Sequence, residues 1–201
     1  MNEQAMTSYR GLMQEVKYRT EAIDKVLASS IPLRAVIAEE LCYLQLRMIC
    51  ESIAIGCLLI HGDVSAKKTD LLRSYKADWI MNGLEKLHPD FYPTPLEQDD
   101  LPAEAPGGAV TWVHRTSGFL TKRELLDLYT RHAGERLHRG SVRNLAKRDR
   151  PNFGAIQAWR DKAVRLLTRH IITSPDREHI FYCVMNNGQD QVASNLFAHR
   201  P

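Results

Sequence analysis

From Leu33 to Ile60 the chain is apolar nearly all the way round a helical turn, and this stretch leaves little choice of architecture. A helix with one apolar stripe can lie on a surface, but one that is apolar on every side has to be enclosed. Pro32 precedes the stretch and His61-Gly62-Asp63 closes it, so it is expected to be the central helix of a bundle. Its longest wholly apolar run, Ile53 to Ile60, falls well short of the roughly 20 residues needed to span a bilayer, and no membrane association is expected. Its few polar positions are informative. Glu40, Arg47 and Glu51 fall on one strip within about 40° of the helical repeat, and Arg47 with Glu51 has the i, i+4 spacing of an ion pair.

Other segments supply the wrapping. Residues 2–28 repeat Tyr9, Leu12, Met13, Val16, Ile23, Val26 and Leu27 at three- and four-residue spacing, which predicts an amphipathic helix broken by Ser29, Ser30 and Pro32. A third helix is expected from Thr69 to Leu87, ended by His88-Pro89. Residues 89–110 then read as a long acidic, proline-rich loop, carrying Pro93, Pro95, Pro102 and Pro106 with Glu97, Asp99, Asp100 and Glu104. Ala109 to His114 has strand character without a nearby partner in sequence.

The stretch from Leu120 to Arg139 combines helix signals with candidate chemistry. Thr121 followed three residues later by Glu124 forms a capping box, so a helix starts there. Leu125, Tyr129, Ala133 and Leu137 recur every four residues as its apolar stripe, and Gly140 is a natural stop. On a uniform helix, at about 100° per residue, Arg131 and His138 lie within roughly 20° of each other, nearly opposite that stripe. Asp127, Arg131, Glu135 and Arg139 also form a ladder of alternating charge at i, i+4, the pattern of a solvated helix face.

Ser141 to Lys147 reads as a further turn of helix, and Ala155 to Ile172 as another long helix, with Trp159 and His170 on its inner side. Two β-rich runs, HIFYCVMN and DQVASNLFAH, flank Asn187-Gly188 and predict a hairpin. The expected fold is therefore mostly α: an up-and-down bundle of four to five helices over residues 1–175, with a β-hairpin appendage over residues 176–201.

Composition excludes several classes. Cys42, Cys50, Cys57 and Cys183 show no CxxC spacing, which argues for free thiols in a reducing compartment rather than a zinc site or disulfide framework. The opening MNEQAMTSYR lacks an apolar signal core, so a cytoplasmic location is expected. No P-loop, Rossmann fingerprint, HExxH or GxSxG occurs. His132 sits about 120° from His138 on an ideal helix, so a metal site is not expected and no cofactor is implied. The whole chain carries only +3, yet Arg131, Arg136, Arg139, Arg143, Lys147, Arg148 and Arg150 face only Glu135 and Asp149 over one short stretch. A patch this basic suits a phosphate-bearing partner.

With its long helix pair and the run Arg131-His132-AGERL-His138, the chain from Met6 to Ile172 resembles the HEPN superfamily, whose signature is an Arg, four to six residues and a His. A second such spacing, Arg165 to His170, places its side chains about 140° apart on a continuous helix and fails the same-face test. The resemblance implies a homodimeric, metal-independent endoribonuclease of the kind found in toxin–antitoxin and phage-defence systems, acting on RNA and in some cases held by an antitoxin or other protein partner. It implies Arg131 and His138 as catalytic residues, His132 assisting, Arg47 and Glu51 in support, and Arg136, Arg139, Arg143, Lys147 and Arg148 contacting nucleic acid. Some members of that superfamily have lost catalysis, so a dimeric binding or assembly module is the alternative.

Overall fold

The computed structural model describes residues 3–61, 69–98, 112–138 and 150–198. Helices α1 (Glu3–Leu27) and α2 (Ala35–Ile60) form an antiparallel pair; α2 is enclosed along its C-terminal half, whereas Val36, Ile37 and Leu44 in its N-terminal half stay exposed despite its composition. It touches α1, α4 (Ala77–Glu85), the helical segment from Lys122 to Leu137 and α7 (Phe153–Leu167). Cys50, Ser52, Ala54, Gly56, Cys57 and Leu58 are buried around several sides of its C-terminal half. By length and composition α2 is also long and apolar enough to cross a membrane; here those sides are packed against other helices. All four cysteines are free and buried.

The fold is not a helical bundle with a simple hairpin. Among the described residues there is a five-stranded antiparallel sheet in the order β2-β1-β3-β4-β5, formed by β1 (Thr94–Gln98), β2 (Trp112–His114), β3 (Arg169–Thr173), β4 (His179–Val184) and β5 (Ala193–Ala198). The expected hairpin exists as β4 and β5, but it is one side of this larger sheet. Two segments read differently from the sequence make up the rest. The stretch read as an acidic loop contains β1, and β1 is the partner that the strand-like run ending at His114 lacked. The end of the helix expected to reach Ile172 is β3. That helix stops at Leu167, and β-branched Ile171, Ile172 and Thr173 continue as a strand with alternating burial. A helical period and a strand period both place His170 inside, which is why periodicity alone misassigned the segment.

The third helix is also broken, into α3 (Thr69–Leu72) and α4, with Leu72, Tyr75 and Trp79 left exposed. The inner face of the sheet packs on the helices. His170 is fully buried there, its Nδ1–H donating to the Leu167 carbonyl at 2.9 Å while Nε2 accepts from the Tyr9 hydroxyl at 2.6 Å. Burial holds the His170 imidazole down at a pKa of about 4.

Candidate functional site

The capping box forms as read: Glu124 N–H donates to Thr121 Oγ1 at 3.3 Å, and Thr121 N–H to Glu124 Oε2 at 3.0 Å. The helix it starts is not uniform. It runs as α5 (Lys122–Asp127), a π turn (Leu128–His132) and α6 (Ala133–Leu137) without interruption. In the π turn the Ala133 N–H reaches the Leu128 carbonyl, five residues back. A wider turn brings residues five apart onto one another, which an α-helix keeps about 140° apart. Leu125, Leu128, Tyr129 and Ala133 are buried beneath it.

The consequence is a cluster that the sequence did not reveal. Both Arg131 and His132 converge on one oxygen of Asp127: Arg131 donates to Oδ2 at 2.9 Å, and His132 Nε2 lies 3.2 Å from the same atom. Because an ionised carboxylate only accepts, this contact is a hydrogen bond when the proton is on Nε2, and Nδ1 is then the acceptor of the ring; Arg131 NH2 also stands 3.4 Å from Nε2. The His132 ring rests on Trp159 of α7, centroid to centroid 5.4 Å, which steadies it from the side. Arg131 remains 60% exposed, so most of its donors face solvent.

Arg47 and Glu51 lie under the π turn. Arg47 Nε pairs with Glu51 Oε1 at 3.4 Å, its two terminal nitrogens donate to the Tyr129 carbonyl at 3.3 Å and the Tyr129 hydroxyl at 3.0 Å, and its guanidinium sits 4.1 Å over the Tyr129 ring. A planar five-donor group is suited to this, since it ties a carbonyl within the π turn to α2. Burial, followed by the Glu51 charge, raises the Tyr129 phenol and keeps it a neutral donor or acceptor.

The remaining expected residues separate. His138 ends α6 with extended dihedrals, φ −96° and ψ 135°, and among the described residues its ring has no hydrogen-bond or ion partner. The shared face inferred for Arg131 and His138 assumed an unbroken α-helix, and the π turn together with the end of α6 removes that basis. Arg136 points inward, its NH1 3.8 Å from Oε2 of Glu39 on α2. Glu39 is 1% exposed, and its other oxygen accepts from the Asn152 N–H at 3.1 Å. Arg139, Arg143, Lys147 and Arg148 lie outside the described residues. Asp127 had been legible only as a rung of the charge ladder, and Trp159 only as an apolar position.

Asp176, Glu178 and His179 lie close enough to share a cation, but Asp176 and Glu178 are exposed in the β3–β4 turn, half-buried His179 opens β4, and among the described residues the three form no cluster with the residues above. No family model matches the chain, and neither a curated protein nor a solved structure matches it.

Proposed function

We propose that the chain is a HEPN-like, RNA-directed protein acting through Asp127, Arg131, His132 and His138 as a metal-independent endoribonuclease. The observation that supports this most is the convergence of Arg131 and His132 on Asp127 at a π turn, since such turns concentrate at functional sites. RNA carries its own nucleophile, so an enzyme has only to position the 2′-OH, move two protons and hold charge on the phosphate. His132, oriented by Asp127, accepts the 2′-OH proton at Nδ1 as the 2′-oxygen bonds to phosphorus. Arg131 offers its solvent-facing donors to the non-bridging oxygens. The P–O5′ bond breaks, the leaving oxygen is protonated (the role that the family resemblance gives to His138), and a 2′,3′-cyclic phosphate and a 5′-hydroxyl result. Arg47 and Glu51 hold the π turn in place. A homodimer that sets two such surfaces face to face supplies the cleft, and toxin–antitoxin or phage defence is the setting that fits a self-contained RNase.

A second reading has its own observation. The Arg131–Asp127 pair is an exposed i, i+4 rung, and Arg136 is committed to buried Glu39. On that reading the chain is a non-catalytic HEPN-like binding or assembly module. Incubating mixed RNA in EDTA with wild type, Arg131→Ala, His132→Ala and His138→Ala separates them. Cleavage abolished in the three variants supports the enzyme; cleavage unchanged in them, or absent from the wild type, overturns it.

A further inference from the structure

A cleft opens between α1 and α7. Val16 of α1 with Ala163, Val164 and Leu167 of α7 give it an apolar floor, and Met185, the residue after β4, completes it. Its volume is about 170 Å³. A dry apolar cavity of roughly 150 Å³ admits a benzene ring, so an apolar body the size of one ring fits. None of Asp127, Arg131, His132 and His138 lines it.

The polar groups of its walls divide by hydrogen-bonding role. Both cations are already committed. Lys17 Nζ donates to the Asp190 carbonyl at 2.7 Å and to Asp190 Oδ1 at 2.5 Å, while Arg160 donates to Asp24 Oδ2 at 2.5 Å and to Asp161 Oδ1 at 3.1 Å. What remains accepts. Thr20 Oγ1 gives its proton to the Val16 carbonyl at 2.8 Å, and Thr168 Oγ1 gives its own to the Val164 carbonyl at 2.7 Å. Each hydroxyl therefore has only lone pairs left to offer. Glu21 lines the cleft without a hydrogen-bond or ion partner among the described residues. Among the charged lining residues and their ion-pair partners, Glu21, Asp24, Asp161 and Asp190 stand against Lys17 and Arg160, an excess of two carboxylates. Thr168 is also the C-cap of α7, the helix end at which a cation is favoured.

We propose that this cleft binds a small amphipathic amine, an aryl or alkyl ammonium. Its apolar body occupies the floor between α1 and α7, and its ammonium donates to the acceptor oxygens of the walls, Glu21 foremost. Such an amine is charged at neutral pH, as lysine is, and it supplies the donors that the walls lack. A carboxylate of the same size meets the excess of negative charge, and a neutral ring leaves Glu21 without a partner. The cleft shares no residue with the Asp127 cluster, so the proposal does not rest on the nuclease reading.

The test is titration of the full chain with phenethylamine, phenethyl alcohol and phenylpropionate at neutral pH, followed by NMR of methyl-labelled methionines. Met185→Leu identifies the Met185 signal by its loss. Phenethylamine is expected to shift that signal and to bind about fivefold tighter than the alcohol, the scale of one partly exposed charge pair, with the carboxylate weakest. Glu21→Gln should bring amine and alcohol level, whereas Glu15→Gln, which removes a carboxylate outside the cleft, should bind as wild type. Val164→Phe fills the cleft from a half-buried position and Thr168→Phe from an exposed one; either, once a thermal melt shows it folded, should abolish the shift. No response of Met185 to the amine overturns the proposal, as does a response confined to other methionines. Alcohol or carboxylate binding as tightly as the amine overturns it too, in favour of a purely apolar or an anion site. An unchanged amine preference in Glu21→Gln, or a shift retained in a folded phenylalanine variant, has the same force.

Discussion

His132 Nε2 lies 3.2 Å from Oδ2 of Asp127, a contact between residues five apart that an α-helix does not make. The π turn makes it, and the turn is held from behind by Arg47 of α2 on the carbonyl and hydroxyl of Tyr129. A packing decision between two helices thus determines which imidazole in this segment has an orienting carboxylate.

Replacing Asp127 tests that relationship. Asp127→Asn is expected to lower RNA cleavage in EDTA on the order of a hundredfold, because His132 loses the acceptor that fixes its tautomer. Stability should change by less than about 1 kcal/mol, since the pair is exposed and screened. Single-turnover cleavage beside a thermal melt reads both quantities. A large drop in melting temperature with unchanged cleavage would show the cluster to be structural.

Arg47→Lys preserves the charge and removes the fork. It is expected to cost about 1–2 kcal/mol through lost hydrogen bonds and lost stacking on Tyr129. In a chain of this size that corresponds to a melting temperature lower by roughly 3–6 °C. Cleavage should fall with it, because the π turn loses its tie to α2. Melts and single-turnover assays of Arg47→Lys against wild type check both.

His170 gives the fold an acid sensitivity. Burial depresses its pKa to about 4 in the folded chain, against about 6.5 when unfolded. Between those values the unfolded state binds the extra proton, so stability is complete above pH ~6.5 and declines as pH falls toward 4. The loss approaches about 3 kcal/mol, and His61, also depressed by burial, acts in the same direction. Urea denaturation at pH 7.5, 5.5 and 4.5 should show the decline, and His170→Gln should flatten it at the expense of stability at neutral pH. An equally steep decline in His170→Gln would assign the effect to other groups.

Two glycines in helices are expected to respond oppositely to alanine. A Cβ at Gly56 would stand 2.9 Å from the Tyr9 ring, which is buried and tied by its hydroxyl to His170. Gly56→Ala should therefore destabilise by about 1–3 kcal/mol. At Gly134 the nearest neighbour is the Tyr129 carbonyl at 4.0 Å, so Gly134→Ala should stabilise by about 0.5–1 kcal/mol through helix propensity. Thermal melts of the two variants give the signs directly.

By itself the sequence determined the local and composition-driven features. The enclosure of the C-terminal half of α2 follows from its apolar circumference, the start of α5 from Thr121 and Glu124, the Arg47–Glu51 pair from its spacing, and the terminal hairpin from two β-rich runs around Asn187-Gly188. Each depends on residues within a turn or a hairpin of one another. The tertiary structure alone decided the five-stranded sheet, because β1 finds β2 and β3 across long separations that no local period records. It also decided the candidate site. The π turn breaks the regular 100° step on which Arg131 and His138 had been placed together, and brings Asp127 to His132 instead. It turned Arg136 from the basic patch toward buried Glu39. These outcomes arise from packing between distant segments, whose geometry a one-dimensional pattern does not contain.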